Sequence, residues 1–301
     1  RDCLLSRGLG DVYKRQVVIN MEKKVIRVGS VGVGAIWGGV HEPGIAKSPD
    51  LTLVAICDID EKKLEAVGEK YGIPPQYRFT DYRDLVNCDI VDAVDICTSN
   101  DAHFKVAMAA VEAGKPFNLE KPITLTAEEA DILAKAAQEK NVKNMVCFSY
   151  RFKAAARYAK DLIAQGKIGR VYHVNMQYFQ AWGLPRANCP LVWRYVKSRT
   201  GTGALGDLGS HALDLVRFVT NKEYTRVVGH TGTYVHERPL LDGKGVGKVD
   251  VDDFSNYMAD MEDEISVSFQ ITRFAYGRGN YQRMEIYGSE GAIVYLSLIH
   301  I

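Results

Sequence analysis

Apolar runs of strand length alternate with helix-like patterns in the first half of the chain. The apolar runs predict strands at 25–32, 51–58, 92–98, just before Glu120, and at 144–150. The periodic segments between them predict helices at 36–47, 61–72, 101–113 and 126–140. Strands that alternate with helices at this spacing are typical of parallel β-α-β units in a doubly wound sheet.

The pattern changes near residue 150. An alanine-rich segment predicts a helix at 153–165. The later runs alternate apolar and polar residues with a period of two, at 171–182, 225–236, 254–261, 264–274 and 282–288. This alternation predicts an open, mainly antiparallel sheet with one packed face, in a C-terminal α+β unit. We therefore expect an α/β protein of two units, 21–150 and 151–296.

The two ends of the chain lack a clear pattern. Residues 1–20 show no helix or strand period and no apolar core of a signal peptide, and Met21 follows them. The tail after Leu296 stops directly after an apparent strand. We expect 1–20 and 297–301 to be non-native segments outside the fold.

Composition narrows the class of protein. The chain has 301 residues, 47% of them hydrophobic and 25% charged, with a formal net charge of +1. These values exclude a disordered chain and argue against nucleic acid as the partner. No apolar run approaches the roughly 18 residues that a membrane helix needs. Six cysteines are scattered without a C-x-x-C pair, and we expect buried, reduced thiols in a cytoplasmic protein: Cys3, Cys57, Cys88, Cys97, Cys147 and Cys189.

A glycine turn stands where the first predicted strand meets the first helix. Gly32 and Gly34 have the spacing of turns that let the backbone approach a pyrophosphate, and the helix behind them offers amide donors. Ala35, Ile36 and Trp37 complete the turn, with Trp37 where the dinucleotide fingerprint has a third glycine. We expect these five residues to contact a dinucleotide.

Asp58 ends the second predicted strand. A carboxylate at this position can accept both ribose hydroxyls of an adenosine. The same carboxylate about 4 Å from a 2′-phosphate would cost on the order of 4 kcal/mol per charge pair at an effective dielectric constant near 20. No Arg or Lys directly follows Asp58 to compensate, so we expect NAD rather than NADP.

Glu120-Lys121-Pro122 lies where the reactive end of a dinucleotide would lie. It ends a strand of the doubly wound sheet, at the edge where such sheets bind ligands. The proline holds Lys121 in an extended conformation and so aims its side chain.

The glycine-rich segment 201–215 is the other candidate for chemistry. It has a helical apolar face, and Asp207 and His211 are four residues apart, hence neighbours on one face. Gly206 and Gly209 stand inside the same helix at about 1 kcal/mol each relative to Ala. Helices that tolerate such glycines usually do so because another group approaches their backbone closely.

Motifs along the chain resemble the Gfo/Idh/MocA oxidoreductases, a family that includes inositol dehydrogenases and glucose–fructose oxidoreductase. The resemblance extends over 25–296 and rests on GVGAIW (32–37), CDID (57–60), TSNDAH (98–103), EKP (120–122), SYRF (149–152) and GTGALGDLGSHALDL (201–215). It implies an N-terminal Rossmann domain and a C-terminal open sheet, with a nicotinamide and a sugar or polyol in the cleft between them.

The resemblance also implies roles for particular residues. Thr98, Asn100, His103, Glu120 and Lys121 would line the cofactor, and Lys121, Asp207 and His211 would form the catalytic group. The chain departs from the family pattern at Trp37 and at Ser99, where the pattern usually has Pro. Family chains commonly run some tens of residues further, so we expect a C-terminal truncation.

Under this resemblance, a secondary alcohol of a sugar or cyclitol is oxidised and its hydride passes to NAD. His211, with an unperturbed pKa of about 6.5, would be the general base. Asp207 would orient the substrate or tune His211, and Lys121 would stabilise the developing alkoxide. Further substrate contacts are expected from Arg151, Tyr178, Gln180, Trp182, Trp193 and Arg194. Simple core packing explains the aromatic residues about as well.

Other interpretations stay open. Some members of the family hydrolyse glycosides with NAD oxidation as a temporary step, although the intact EKP lysine favours net redox chemistry. A non-catalytic sensor could dispense with Lys121 and His211, yet both are present. No metal site is expected, because Asp250, Asp252 and Asp253 have no histidine at ligand spacing and are typical of a solvated loop. We expect a homodimer or homotetramer for the full-length protein.

Overall fold

Two six-stranded sheets form the framework of residues 25–297, the part of the chain that the computed structural model describes. The segments expected to be non-native, 1–20 and the tail beyond Ser297, lie outside the described residues. Ser297 itself ends the last strand, where it pairs with Gln282.

Six parallel strands build the first sheet. They are β1 (Ile26–Val31), β2 (Leu51–Cys57), β3 (Arg78–Phe79), β4 (Ala93–Ile96), β5 (Phe117–Leu119) and β6 (Asn144–Val146). Their order across the sheet is β3-β2-β1-β4-β5-β6, with every pair parallel. The predicted doubly wound sheet is confirmed. The order reverses between β1 and β4, and such a switch point opens a ligand crevice at the carboxyl ends of the strands.

Helices join these strands, four of them near the predicted bounds and one, Tyr82–Val86, not predicted. They are α1 (Glu42–Lys47), α2 (Glu61–Tyr71), α3 (Tyr82–Val86), α4 (Asn100–Glu112) and α5 (Ala127–Glu139). A π-helical turn, Trp37–His41, precedes α1. The α2 helix begins after Asp60, whose side chain accepts the Lys63 N–H at 3.1 Å, and it ends at Gly72 with φ +65°. Asp at the start and Gly just past the end of a helix agree with the general capping rules.

The strand predicted at 144–150 is shorter than expected. The β6 strand ends at Val146 because the Phe148 N–H turns back to the Val146 carbonyl at 2.7 Å. A 3₁₀ turn, Ser149–Phe152, follows. It carries Tyr150 out of the sheet and into the cleft described below.

The second sheet holds the remaining long strands. They are β7 (Val171–Phe179), β8 (Tyr224–Gly232), β11 (Phe254–Met261), β12 (Ser266–Thr272), β13 (Tyr281–Gly288) and β14 (Ala292–Ser297). The short strands β9 (Glu237–Pro239) and β10 (Val246–Lys248) form a separate ladder. The order is β14-β13-β7-β12-β11-β8, and only the β7–β12 pair is parallel. The expected open, mainly antiparallel sheet is confirmed.

One face of the second sheet is packed and the other is open. The helices on the packed side are α6 (Ala154–Ala164) and α8 (Ser210–Thr220), and a short helix, α7 (Lys197–Thr200), lies before a π-helical turn, Leu205–Gly209. Their apolar faces join those of the strands in one core. On β8 and β11 the apolar side chains of Val227, Val228 and Met258 are exposed. No helix in residues 25–297 is long and apolar enough to cross a lipid bilayer.

The expected burial of the cysteines is correct for Cys57 alone among those described. All five are free thiols, but Cys88, Cys97, Cys147 and Cys189 are half-buried. Three of these four line the cleft, because they lie at or just beyond strand ends or in the connecting segment above it. Cys3 lies outside the described residues.

The acidic cluster near residue 250 is structural, so the prediction of a solvated loop is wrong. Asp253 is fully buried, and its carboxylate accepts the backbone N–H groups of Tyr234 and Val235. Asp252 accepts the N–H groups of Gly203 and Leu205 at 2.6 and 2.7 Å. These carboxylates satisfy backbone donors that would otherwise be unpaired, and Asp252 thereby anchors the start of the segment that carries Asp207.

Candidate active site

A cavity of about 1030 Å³ lies at the carboxyl ends of the first sheet and continues to the second. We call it the cleft. Its volume stands at the upper end of the roughly 300–1,000 Å³ that small-molecule sites occupy. It brings together most of the predicted site residues, namely Gly32, Gly34, Ala35, Ile36, Asp58, Thr98, Asn100, Glu120, Lys121, Tyr178, Gln180, Trp182, Trp193, Arg194, Asp207 and His211. Three others, Trp37, His103 and Arg151, do not line it.

The glycine turn has one glycine that packs and one that leaves space. Gly32 has φ +87°, and a Cβ there would lie 2.7 Å from the Cys97 carbonyl, so no other residue fits. A Cβ on Gly34 would have no atom within 4 Å. Trp37 is 1% exposed and packs edge-on against Tyr71 at 5.6 Å. The expected contact between Trp37 and a dinucleotide is therefore wrong, because its large ring fills the core instead.

Asp58 is held by three donors at the rim of the cleft. Its carboxylate accepts the N–H groups of Val33 and Asp60, each at 3.0 Å. The third donor is the Lys63 ammonium, 2.7 Å away. Lys63 lies in the first turn of α2 and also lines the cleft. No Arg or Lys directly follows Asp58, but the helix brings Lys63 back over the strand end as a compensating cation.

Three residues after β4 and in α4 were expected to line the cofactor, and two of them line the cleft. Thr98 lines the cleft, and its buried hydroxyl has no hydrogen-bond partner among the described residues. Asn100 also lines it and donates to the Thr200 carbonyl at 3.0 Å. His103 is fully buried behind the cleft, where its ring nitrogens face the carbonyls of Pro122 (2.7 Å) and Thr98 (3.2 Å). Burial lowers the pKa of His103, which suits a neutral ring that supports the backbone.

Lys121 and Asp207 meet across the cleft. The Lys121 Nζ donates to the Asp207 carboxylate at 2.8 Å and to the Asp207 carbonyl at 2.9 Å. The fully buried Arg273 donates to the other carboxylate oxygen at 3.2 Å. Burial would raise the pKa of Asp207, but Lys121, Arg273 and Arg194 together hold it well below its usual range. Asp207 is therefore a carboxylate clamped between two cations.

The expected pairing of Asp207 with His211 is not formed. Leu205–Gly209 is a π-helical turn, in which residues four apart no longer stack directly. A Cβ on Gly206 would overlap the Thr202 hydroxyl. The expected close approach to the helix backbone is therefore real at Gly206, but it comes from the chain itself.

His211 lies in an aromatic box. It is 8% exposed, and its ring contacts Tyr150 at 4.6 Å, Phe148 at 6.0 Å and Tyr178 at 6.3 Å between centroids. Burial, followed by the charge of Lys121, lowers the pKa of His211 to about 3. The pKa thus lies well below the unperturbed value of 6.5, a shift that the sequence did not reveal. The ring is neutral at neutral pH, and its Nδ1 has no partner among the described residues.

The expected substrate contacts are only partly brought together. Tyr178 faces the cleft and shares a 2.6 Å hydrogen bond with the Tyr150 hydroxyl. Trp193 and Arg194 line it too, with the guanidinium 4.3 Å above the indole. Arg151 instead makes a two-pronged ion pair with Asp214. Arg151 does not line the cleft, and its expected substrate contact stays a prediction.

Comparison with known proteins identifies the family. A model of the oxidoreductase family with an NAD-binding Rossmann fold matches residues 26–148, and one of the GFO/IDH/MocA C-terminal domain matches 156–294. Levoglucosan dehydrogenase from Pseudarthrobacter phenanthrenivorans is 34% identical over 288 residues, which cover 90% of this chain and 73% of that protein. The chain belongs to the Gfo/Idh/MocA oxidoreductase family.

Other Gfo/Idh/MocA proteins are similar in sequence and fold. Myo-inositol 2-dehydrogenase from Thermotoga maritima is 27% identical over 89% of this chain and 74% of its own. An oxidoreductase domain protein from Kribbella flavida superposes with a TM-score of 0.85 and 37% identity, over 91% of this chain and 74% of that one. Levoglucosan dehydrogenase in complex with NADH superposes with a TM-score of 0.84 and 34% identity, over 90% and 73%. The predicted resemblance is confirmed.

NAD is the cofactor of this Gfo/Idh/MocA enzyme, as predicted. The residues present fit it. The open space in front of Gly34 can take a pyrophosphate, and Asp58 stands at the end of β2, where an adenosine ribose binds. The unpartnered Thr98 hydroxyl is a polar group that a ligand in the cleft can satisfy.

Sequence reasoning missed a polar cluster below the cleft. His41 lies between the carboxylates of Asp95 and Glu120, with Cys97 and Cys147 beside it. Two triads that share His41 have possible ligand atoms within 4.8 Å of one another. A signal was present, since Asp95 interrupts an otherwise apolar strand. Arg273 was missed as well, and nothing in its local sequence indicated burial beside Asp207.

Proposed function

We propose that this Gfo/Idh/MocA dehydrogenase oxidises a secondary alcohol of a sugar, cyclitol or related polyol, with Lys121, Asp207 and His211 as the catalytic group. One observation carries the proposal: Lys121, just beyond β5, meets Asp207 from the opposite half of the chain in the same cleft that His211 lines. NAD, when bound, supplies a carbon that accepts a hydride.

Lys121 is suited to hold the reacting oxygen. Its ammonium already uses two of its three donors on Asp207, which leaves one for a substrate hydroxyl. An alkoxide that develops on that hydroxyl would be stabilised by this fixed cation. Asp207 positions Lys121, and Arg273 positions Asp207 from behind.

We propose that His211, which lines the cleft, accepts the hydroxyl proton. A base must be unprotonated to act, and burial keeps this ring neutral at neutral pH. The nearby Lys121 ammonium disfavours a second positive charge on the ring, so the accepted proton would pass on to solvent rather than stay on His211.

A polyol fits the remaining walls of the cleft. Tyr150, Tyr178, Gln180 and Asn280 form a hydrogen-bonded patch beside His211, with bonds of 2.6 to 3.3 Å. Hydroxyl and amide groups of this kind can donate to or accept from several substrate hydroxyls. Relatives named levoglucosan dehydrogenase and myo-inositol 2-dehydrogenase support the same substrate class.

NADH fluorescence with a panel of polyols tests the proposal. The full chain is mixed with NAD and then with inositols, aldoses, an anhydrosugar and a glycoside. We expect NADH to accumulate with at least one sugar or polyol. A cleaved aglycone without net NADH would indicate an NAD-dependent glycosidase instead. NADH binding without turnover of any compound would indicate a dinucleotide-binding regulator.

We also propose that the full-length protein is a homodimer or homotetramer and that the chain divides near residue 150. Val228 and its register partner Met258 are exposed on the open sheet face, and they support association there. The two sheets, formed by strands within 26–146 and 171–297, support the division. Light scattering after size-exclusion chromatography measures the oligomeric state, and a monomer at high concentration would contradict the proposed homodimer or homotetramer.

A further inference from the structure

A row of polar side chains crosses the first sheet beneath the cleft. Ser30, Asp95 and Asn118 are register partners on the adjacent strands β1, β4 and β5. The Asp95 carboxylate is 4% exposed and accepts from Asn118 at 3.0 Å and from Ser30 at 3.3 Å. Parallel sheets are usually apolar at such buried positions. A polar row there therefore calls for an explanation beyond folding.

His41 completes this row from the helical side. Its Nδ1 lies 2.8 Å from an Asp95 oxygen, and its Nε2 lies 3.0 Å from an oxygen of Glu120. With both carboxyl groups ionised, each ring nitrogen must donate an N–H, and only the imidazolium carries both. Burial would lower the pKa of His41, but its hydrogen bonds to Asp95, Cys147, Cys97 and Glu120 raise it.

Glu120 connects His41 to Lys121 by hydrogen bonds. One carboxylate oxygen of Glu120 binds His41, and the other accepts the backbone N–H of Lys121 at 3.1 Å. Lys121 then reaches across the cleft to Asp207. The chain of contacts thus runs from the buried Asp95 to the amine at the reacting centre.

We propose that His41 is a positioning residue for the reaction: as an imidazolium between Asp95 and Glu120, it fixes the Glu120 carboxylate and, through it, the backbone from which Lys121 acts. This inference rests on the role proposed above for Lys121. A metal ion in either triad would have to displace a proton from His41, whereas the imidazolium satisfies both carboxylates at once.

Ring ¹⁵N chemical shifts of the labelled full chain test the state of His41. The His41 signals are assigned by their loss in His41→Gln. We expect both ring nitrogens to stay protonated from pH 6 to pH 9, and Glu120→Gln to bring deprotonation into that range, because one carboxylate partner is lost. An unprotonated ring nitrogen in the wild type at pH 7, whether the ring is neutral or holds a metal ion, overturns the proposal.

Kinetics of matched variants test the positioning. A misplacement of about 1 Å can cost about 10²-fold in rate, so we expect His41→Gln and His41→Phe to lower kcat at least tenfold. The dissociation constant for NADH should change less than threefold. The combined loss in His41→Gln/Glu120→Gln should be smaller than the product of the single losses. His230→Gln, at an exposed position of β8, is the control.

Two kinetic outcomes would overturn the proposal. Wild-type kcat in His41→Phe would show that ring volume alone suffices. Equal losses of kcat and of NADH affinity would show a general structural role. Failure of the Lys121 role would appear separately, as an unchanged rate in Lys121→Ala, while the ¹⁵N shifts still decide whether the imidazolium bridge exists.

Discussion

Replacing Asp207 by Asn removes the charge that two cations share. Lys121 lies 2.8 Å from this carboxylate and Arg273 lies 3.2 Å from it. The Arg273 guanidinium is fully buried, and Asp207 is its carboxylate partner. Breaking a buried pair by removing one partner costs about 3–5 kcal/mol, because the other charge stays buried and unpaired.

Substitution of Asp207 should cost more stability than substitution of Lys121. At about 2–4 °C per kcal/mol, Asp207→Asn should lower Tm by about 6–20 °C. Lys121→Met should cost less, about 1.5–3 kcal/mol, because Asp207 keeps its bond to Arg273. Asp260→Asn is the control, since its pair with Arg226 is exposed and is expected to be worth at most about 1 kcal/mol.

Differential scanning calorimetry measures Tm of the wild type and the variants in the absence of NAD. Arg273→Met added to Asp207→Asn should recover part of the lost stability, because no buried charge then lacks a partner and the Met stem still packs on Trp182. The reasoning is refuted if Asp207→Asn is as stable as the wild type. A double variant less stable than Asp207→Asn alone would refute it as well.

The remaining predictions concern His211, the rim of the cleft and the glycine turn. Because the pKa of His211 is lowered to about 3 in the folded protein, the unfolded chain binds a proton first as pH falls below about 6.5. Stability should then fall by up to about 1.4 kcal/mol per pH unit towards pH 3, and urea titrations of His211→Gln should lack this contribution. Asp58→Ser should raise NADPH affinity at least tenfold by releasing Lys63, and Lys63→Ala added to it should remove the gain, as fluorescence titration would show. Gly34→Val should weaken NADH binding at least tenfold with Tm unchanged, whereas Gly32→Ala should lower Tm; the opposite pattern would contradict the assignment of the turn.

Patterns that depend on local chemistry were predictable from the sequence. The alternation of strands and helices gave the parallel sheet, and period-two runs gave the open one, because side-chain periodicity follows backbone geometry. Asp60 and Gly72 at the ends of α2 follow from capping rules that need only neighbouring residues. The glycine turn and Asp58 were found for the same reason, since motif spacing encodes their contacts.

Features that depend on distant contacts were not predictable. The pKa of His211 is lowered first by burial and then by the charge of Lys121, and tertiary packing alone brings the aromatic rings and this lysine to it. Likewise, Asp252 acts as a backbone cap more than 40 residues from its donors. The hydrogen bonds of His41 to Asp95 and Glu120 could not be predicted, because they depend on how the strands pair, and a single sequence does not give that pairing.

The π-helical turn at Leu205–Gly209 explains why Asp207 does not pair with His211 as predicted. Helical spacing placed Asp207 beside His211, but the widened turn directs Asp207 to Lys121 instead. Residues four apart share a face only where the helix is regular. Functional segments are where such irregular turns concentrate.

The most direct test of the proposed catalytic group is the rate of Lys121→Ala on the best polyol substrate. Lys135→Ala, at an exposed position of α5, is the matched control, and NADH binding is titrated in both variants. We expect kcat to fall by about 10²–10³ in Lys121→Ala, with NADH still bound and the control unchanged. An unchanged kcat in Lys121→Ala would contradict the proposed function.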